Sequence, residues 1–183
     1  MDNGQACYRR YLDGDKGAFD ELIVLYHDSL IAFVYGQIHN QTAAEDIAAD
    51  AFAELLLHPR RYSFQSSFKT YLFAVARHKS IDWLRREKRW ANDPKEIEEK
   101  PDEAKSVEAL ILSDERAKEV RAAMKTLKKE YGTVLYLTYF EEMSGDEICR
   151  VMKKSKKQTA NLLYRAKAAL KEALREEGLP YEE

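Results

Sequence analysis

Nine residues from Lys153 to Asn161, KKSKKQTAN, gather four ammonium groups and two side-chain amides into one short run of chain. Lys153, Lys154, Lys156 and Lys157 suit phosphate oxygens, while Gln158 and Asn161 are of the type that pairs bidentately with adenine edges. Arg165 and Lys167 follow further along and suit backbone contact. Four lysines at the start of a helix oppose its macrodipole, at about 0.3–1 kcal/mol each, unless an anion sits there. A solvated lysine face on a bundle helix is the plainer reading, and that cost weighs against it.

A second cationic run has different chemistry. FKTYLFAVARHKSIDWLRREKRW, residues 68–90, carries Lys69, Arg77, His78, Lys79, Arg85, Arg86, Lys88 and Arg89, with Trp83 and Trp90 as exposed aromatic candidates. Charges that follow a backbone and flat rings that stack unpaired bases are what single-stranded nucleic acid requires. A helix lying on a membrane would need an unbroken apolar face, which Lys79 and Asp82 interrupt.

A third run is acidic. Asp46, Asp50 and Glu54 fall at i, i+4 and i+8 with Glu45 beside them, and no basic residue shares the segment TAAEDIAADAFAELLLHP. An unpaired acidic stripe repels itself. Three readings stay open: a docking face for a basic protein surface, divalent-metal binding by helical carboxylates as in an all-α phosphohydrolase, or plain solvation. His27, His39, His58 and His78 share no ligand spacing, so no metal or other cofactor is expected.

The elements that must carry these groups read as helices. The chain has 183 residues, 45% hydrophobic and 34% charged, with 7 Gly and 4 Pro, a composition that favours an all-α protein. Phe19, Leu22, Ile23, Tyr26, Leu30, Phe33 and Val34 mark one buried face of a helix over 16–38. Thr42 with Glu45 predicts a capping box and a helix from about Ala43 to His58-Pro59. A short polar stretch, RRYSFQSS, leads to a third helix near Phe68. ANDPKEIEEKPDEAKS, with two prolines and many acids, reads as a flexible acidic linker. Two small domains follow from this, residues 1–90 and 107–183, joined by 91–106.

Apolar periodicity resumes at Val107 and Leu110 and runs through Ala117, Val120, Met124 and Leu127; Val134 to Phe140 makes the next helix. Ser144 with Glu147, then Ser155 with Gln158, predict two capping boxes around a helix of about eight residues and a longer one from Lys156. The inner face of the longer helix is Thr159, Leu163, Ala166, Leu170 and Leu174. Short helix, tight turn, longer helix is the layout of a helix-turn-helix. Cys7 and Cys149 match no zinc spacing and read as free thiols of a reducing cytoplasm. The first residues are polar and acidic, unlike a signal peptide, and no apolar run approaches a membrane span, so no membrane insertion is expected.

Charge sharpens the division. The total is -2, yet residues 60–90 hold 9 Lys/Arg against 2 Asp/Glu, and 150–175 hold 9 against 1. Residues 1–59 hold 3 against 10. Two basic blocks on two units fit two contacts with a polyanion.

AEDIAADAFAELL, FQSSFKTYLFAVARHKSIDWLRREKR and MKTLKKEYGTVLYLTYFEEMSGDEICRVMKKSKKQTANLLYRAKAALKEAL, in that order, resemble the two domains of bacterial extracytoplasmic-function (ECF) sigma factors. The resemblance covers roughly residues 10–90 and 107–175. It implies that the protein is no enzyme but directs RNA polymerase to promoters. The acidic helix would dock on the β′ clamp helices of the polymerase core through Glu45, Asp46, Asp50, Phe52 and Glu54. Arg60, Arg61, Tyr62, Phe64, Gln65 and Ser66 would form the pocket for a base flipped from the non-template strand. Lys69, Arg77, His78, Lys79, Arg85 and Arg86 would hold the melted -10 region. Lys153, Lys154, Ser155, Lys156, Lys157, Gln158, Asn161 and Arg165 would read the double-stranded -35 element, next to the β flap. An anti-sigma factor is the further partner such proteins often have. The alternatives from other classes are a stand-alone helix-turn-helix regulator and the metal-dependent phosphohydrolase. The sequence departs from the family's habit at Lys128-Lys129, where prolines are common, at Met152-Lys153, where Leu-Gly is common, at Cys149 (alanine) and Thr159 (valine), and at His78 (asparagine).

Overall fold

A computed structural model of the chain describes residues 2–91 and 115–176. Among them the regular structure is helical, in two compact units, Met1–Ala104 and Lys105–Glu183. The expected linker, with Val107 and Leu110, falls almost wholly outside the described residues.

The first unit contains α1 (Asn3–Leu12), α2 (Gly17–Ile38), α3 (Gln41–Leu57), a 3-10 turn (Pro59–Arg61) and α4 (Phe68–Ala91). α2 is the central element and packs against α1, α3 and α4. Its buried face holds Phe19, Leu22, Leu30, Phe33 and Val34, while Ile23 and Tyr26 are half-buried. The core fills with Leu55, Phe68, Leu72 and Phe73, each 1% exposed or less. Packed aromatic and leucine side chains of this size contribute about 1.5–3 kcal/mol each on burial.

Two local features differ from expectation. α2 ends at His39 in the left-handed region, φ 56°, and its N–H donates to the Tyr35 carbonyl at 2.8 Å. This turn makes Asn40, not Thr42, the cap of α3: the Asn40 side chain accepts from the Ala43 N–H at 2.9 Å. Glu45, freed from a capping role, accepts from Gln41 Nε2 at 2.7 Å. The second difference is α1, a helix the sequence reading left out. Asp2 caps it through the Gln5 N–H at 2.7 Å, and Cys7 and Tyr8 turn inward.

The second unit holds α5 (Glu115–Thr126), α6 (Lys129–Tyr139), α7 (Gly145–Met152) and α8 (Lys156–Glu176). α8 packs against α5, α6 and α7, burying Thr159, Ala166, Leu170 and Leu174, with Leu163 half-buried. Both expected capping boxes form. Ser144 Oγ accepts from the Glu147 N–H at 3.4 Å and Glu147 Oε2 takes the Ser144 N–H at 2.9 Å. Ser155 Oγ accepts from the Gln158 N–H at 3.2 Å and Gln158 Oε1 takes the Ser155 N–H at 2.9 Å.

Candidate polymerase and nucleic-acid surfaces

The recognition helix α8 places Lys157, Asn161 and Arg165 four residues apart, hence on one face, and all three are exposed. None of the three side chains makes an ion pair or hydrogen bond among the described residues. Two of the other lysines are spoken for. Lys156 Nζ lies 2.8 Å from Asp146 Oδ1, and Lys154 Nζ lies 3.0 Å from Glu130 Oε1, half-buried against α6. Only Lys156 and Lys157 stand at the start of α8, and Asp146 offsets part of the dipole cost there, while Lys153 and Lys154 close the end of α7, where cations are favourable. Gln158 is exposed, but its carbonyl oxygen is held by the Ser155 N–H. Capped in this way it keeps both Nε2 donors and one lone pair of the oxygen, so bidentate pairing with adenine has to share that oxygen with the cap. Lys167 Nζ sits 5.7 Å over the Tyr139 ring. Tyr164, 76% exposed, shares this outer surface next to Arg165; the sequence reading missed it, although its wide offset from the inner-face positions signals it.

The departures in this unit have physical counterparts. Lys153 occupies the left-handed C-cap of α7, φ 52°, ψ 47°, a conformation that glycine adopts freely and that costs another residue about 1 kcal/mol. Lys153→Gly should therefore raise the unfolding free energy of this unit by about 1 kcal/mol, while removing one exposed cation. Denaturant melts and DNA titrations on the same variant measure both effects. Cys149 and Thr159, two positions where the family usually has apolar residues, bond to each other: Cys149 Sγ donates to Thr159 Oγ1 at 3.3 Å, pinning α7 to α8.

In the first unit the loop between the 3-10 turn and α4 is walled by rings. Tyr62 is 3% exposed and its hydroxyl donates to the Ser66 carbonyl at 2.6 Å. Its ring lies 4.7 Å from that of Phe64 and 5.0 Å from that of Tyr71. Tyr62 thus builds the wall of the loop and is covered from solvent. Phe64 is half-buried at φ 61°, where a bulky side chain costs about 1–3 kcal/mol and persists only if its neighbours hold it. Gln65 is exposed, as are Arg60 and Arg61, while Ser66 is half-buried.

On α4, Lys69 and Arg77 are half-exposed, and Lys69 Nζ lies 5.9 Å from the Phe73 ring. His78 Nδ1 lies 3.3 Å from Asp82 Oδ2, and Arg85 Nη1 3.3 Å from Asp82 Oδ1. Arg86 Nε donates to the Asp82 carbonyl at 3.5 Å. Asp82, Arg85, Arg86, Lys88 and Arg89 line a shallow open depression. Trp90 is 72% exposed as expected; Trp83 is half-buried.

The acidic helix is where tertiary structure most alters the reading. Phe52 is 5% exposed and meets the Phe19 ring edge-on at 6.3 Å. It supports α3 from the core and is no surface contact. The stripe is also not unpaired. Glu54 pairs with Arg61, and its Oε2 lies 3.3 Å from Lys79 Nζ; Asp50 Oδ2 lies 4.0 Å from the same ammonium. Burial pushes the Glu54 carboxyl up, but the Lys79 bond and charge, with those of Arg61, outweigh it and hold it below its ordinary value. Glu45, Asp46 and Asp50 remain exposed. Among the described residues no group of three His, Cys, Asp or Glu side chains is arranged to hold a metal ion, and no helix is long and apolar enough to cross a membrane. Both cysteines are free.

Comparison with known proteins gives this arrangement its context. The family profile Sigma-70 region 2 matches residues 22–90, and Sigma-70, region 4 matches residues 117–170. The chain is 25% identical over 160 residues to the RNA polymerase sigma factor YlaC of Bacillus subtilis, covering 85% of this chain and 91% of that one. It is 25% identical over 174 residues to the ECF RNA polymerase sigma factor SigW of the same organism, covering 89% and 92%. It is 25% identical over 183 residues to the RNA polymerase sigma-H factor of Pseudomonas aeruginosa, covering 95% of each. Among solved structures, CnrH in complex with the cytosolic domain of CnrY superposes with a TM-score of 0.68 at 19% identity, over 95% of this chain and 98% of that one. The sigma factor RpoE of Bartonella quintana, in complex with the anti-sigma factor NepR, gives 0.67 at 19%, over 86% and 96%. With two successive regions matched over some two thirds of its length, the chain belongs to the sigma-70 family of RNA polymerase sigma factors, in its ECF group.

Proposed function

We propose that the two units divide promoter recognition as follows, the first taken as residues 1–90 and the second as 107–183. Glu45, Asp46 and Asp50 dock on a basic surface of the polymerase core, the β′ clamp helices, with Glu54 bracing the face through Lys79 and Arg61 and Phe52 supporting it from beneath. Arg60, Phe64, Gln65 and the ring-walled loop around Ser66 receive a base unstacked from the -10 element. Lys69, Arg77, His78, Lys79, Arg85 and Arg86 hold the separated strand behind it. In the second unit Lys157, Asn161 and Arg165, with Lys153, Lys156 and Gln158 at the entrance, meet the -35 duplex next to the β flap. The protein itself catalyses nothing in this scheme; it works in the cytoplasm with the polymerase, whose active site does the chemistry.

The observation that carries the reading is the capped start of α8: a stable helix end with an unpaired row of cation, amide and guanidinium facing outward, as major-groove recognition demands. The sigma factor RpoE of Bartonella quintana is bound by the anti-sigma factor NepR in its solved structure, which supports such a factor as a further partner here.

The test is transcription in vitro with purified protein, sigma-free core polymerase and sheared DNA of the source genome. Discrete starts sharing two upstream elements are expected. Random starts without core binding would leave a lone regulator acting through the second unit. Magnesium-dependent nucleotide turnover lost in Asp46→Ala and Asp50→Ala would revive the phosphohydrolase.

A narrower prediction concerns salt. Each phosphate neutralised on duplex DNA adds about 0.9 to the slope of log K against log salt. Replacing Lys156 and Lys157 by alanine should lower the slope by about 1–2, the smaller figure applying if Lys156 stays on Asp146. An unchanged slope would remove this face from the DNA interface.

A further inference from the structure

The Sigma-70 region 2 match begins at residue 22, so α1 lies outside it and none of its residues has a role in the scheme above. Its contacts nevertheless converge on the proposed base-receiving loop. The Asp2 carboxylate serves two helix starts at once: Oδ1 takes the Gln5 N–H at 2.7 Å and Oδ2 takes the Phe68 N–H at 3.0 Å. Gln5 Nε2 donates to the Ser66 carbonyl at 2.9 Å, the same oxygen that receives the Tyr62 hydroxyl. At Gly4 an added Cβ would come within 2.9 Å of Phe68 Cβ and 2.6 Å of the Tyr26 hydroxyl. α1 is therefore seated closely on the start of α4, and the loop is held from outside its own sequence.

The outward residue of this helix on the loop side is Arg9. Its guanidinium carbon lies 4.9 Å from the centroid of the Phe64 ring, the ring whose backbone is in the left-handed region. The neighbouring Arg10 shows what an ordinary surface arginine does here: it pairs with Asp15 at 2.5 Å and with Glu21 at 3.0 Å. Arg9 is exposed and has no carboxylate partner among the described residues. A guanidinium laid on a ring keeps its in-plane N–H groups for an anion while the ring fixes its position. Cation next to stacking ring is also the pairing that single-stranded nucleic acid uses, phosphate on one and base on the other.

We propose that Arg9 is a further nucleic-acid-binding residue of this protein, a cation that α1 places on Phe64 to meet a phosphate of the unstacked strand entering the loop at 62–67. This rests on the reading that the loop receives the melted strand. Phe64 offers the base a face, Arg9 neutralises the adjoining backbone, and Asp2 and Gln5 keep both in register with α4.

The test uses holoenzyme assembled from core polymerase and the full chain, on a fork of a promoter recovered by start-site mapping, duplex upstream and single-stranded across the -10 element. Arg9→Ala should weaken fork binding about 10-fold and lower its salt slope by about 0.7, the value for one single-strand phosphate. Binding to a wholly duplex -35 fragment and the melting midpoint of the free protein should not change. Arg9→Lys should restore the slope, since the charge remains, but only part of the affinity, since an ammonium cannot stack as a plane. Wild-type fork affinity and slope in Arg9→Ala would overturn the proposal and leave Arg9 a packing residue. An equal loss on the duplex fragment would overturn it too, as a general charge effect. If wild-type holoenzyme itself does not bind the fork, the proposal falls together with the functional reading, and that failure is recognisable because it precedes any variant.

Discussion

Asp46→Lys together with Asp50→Lys should reduce affinity for core polymerase about 100-fold and leave the thermal unfolding of the free protein within a few degrees of wild type. Both carboxylates are exposed on α3, and neither is needed for the helix to form: the Asn40 cap and the buried face of Ala44, Ala48, Ala51 and Leu55 do that. Against a basic surface, two reversals remove two attractions and create two repulsions. About 3 kcal/mol for the pair is a modest total for close interfacial charges, and it corresponds to roughly two decades in Kd. Asp50 lies 4.0 Å from Lys79, so its reversal also brings two ammonium groups together. At this exposure that costs a fraction of a kcal/mol, and Asp46→Lys alone separates the effects, because Asp46 has no such neighbour. Titration of labelled protein against core polymerase, with a parallel thermal melt, decides it. Full affinity in the double variant would place the polymerase contact elsewhere.

Tyr8→Ala should cost the first unit about 3–5 kcal/mol, enough to unfold much of it, since small domains have only about 5–15 kcal/mol in total. Tyr8 is 0% exposed. Its ring lies 5.3 Å from Phe68, 5.6 Å from Tyr62 and 6.2 Å from Phe64, so one truncation leaves a cavity at the centre of the rings that shape the loop. Its hydroxyl donates to the Pro59 carbonyl at 3.0 Å and reaches the Leu55 carbonyl at 3.3 Å, tying α1 to the end of α3. Burial also pushes this phenol up to about 12, so it remains a donor throughout the working range. Tyr8→Phe keeps the rings and loses the donor, for about 1 kcal/mol. Calorimetry should show the transition of the first unit collapse in Tyr8→Ala while that of the second is unmoved, and binding to an isolated -35 duplex should persist. A single shared transition, lowered as a whole, would mean that the two units unfold together.

Much of the protein was legible from residue order. The face Phe19, Leu22, Leu30, Phe33, Val34, the helix from Phe68, and the paired boxes Ser144–Glu147 and Ser155–Gln158 follow from periodicities and caps that operate within a few residues, and each stands where local chemistry puts it. α1 was missed because it is short, with one strong cap and few apolar positions; its stability comes from Tyr8 and Gly4 meeting Tyr26, Tyr62 and Phe68, all distant in the sequence. Asn40 is not marked out as the cap by residue order because the left-handed turn at His39, which decides the matter, leaves no strong mark in the sequence.

The sites divide in the same way. Residue order alone determined which segments are cationic, which is acidic, and that α8 begins with a cluster of donors, because charge and helical period are properties of neighbouring residues. Only tertiary structure decided which of those charges are free. Glu54 is taken by Lys79 and Arg61, Lys154 by Glu130 and Lys156 by Asp146, while Phe52 is drawn into the core. Arg9 gained its place beside Phe64 in the same step. Ion pairs and ring contacts act over a few ångströms, and the chain brings most of these groups within that distance only when its helices pack.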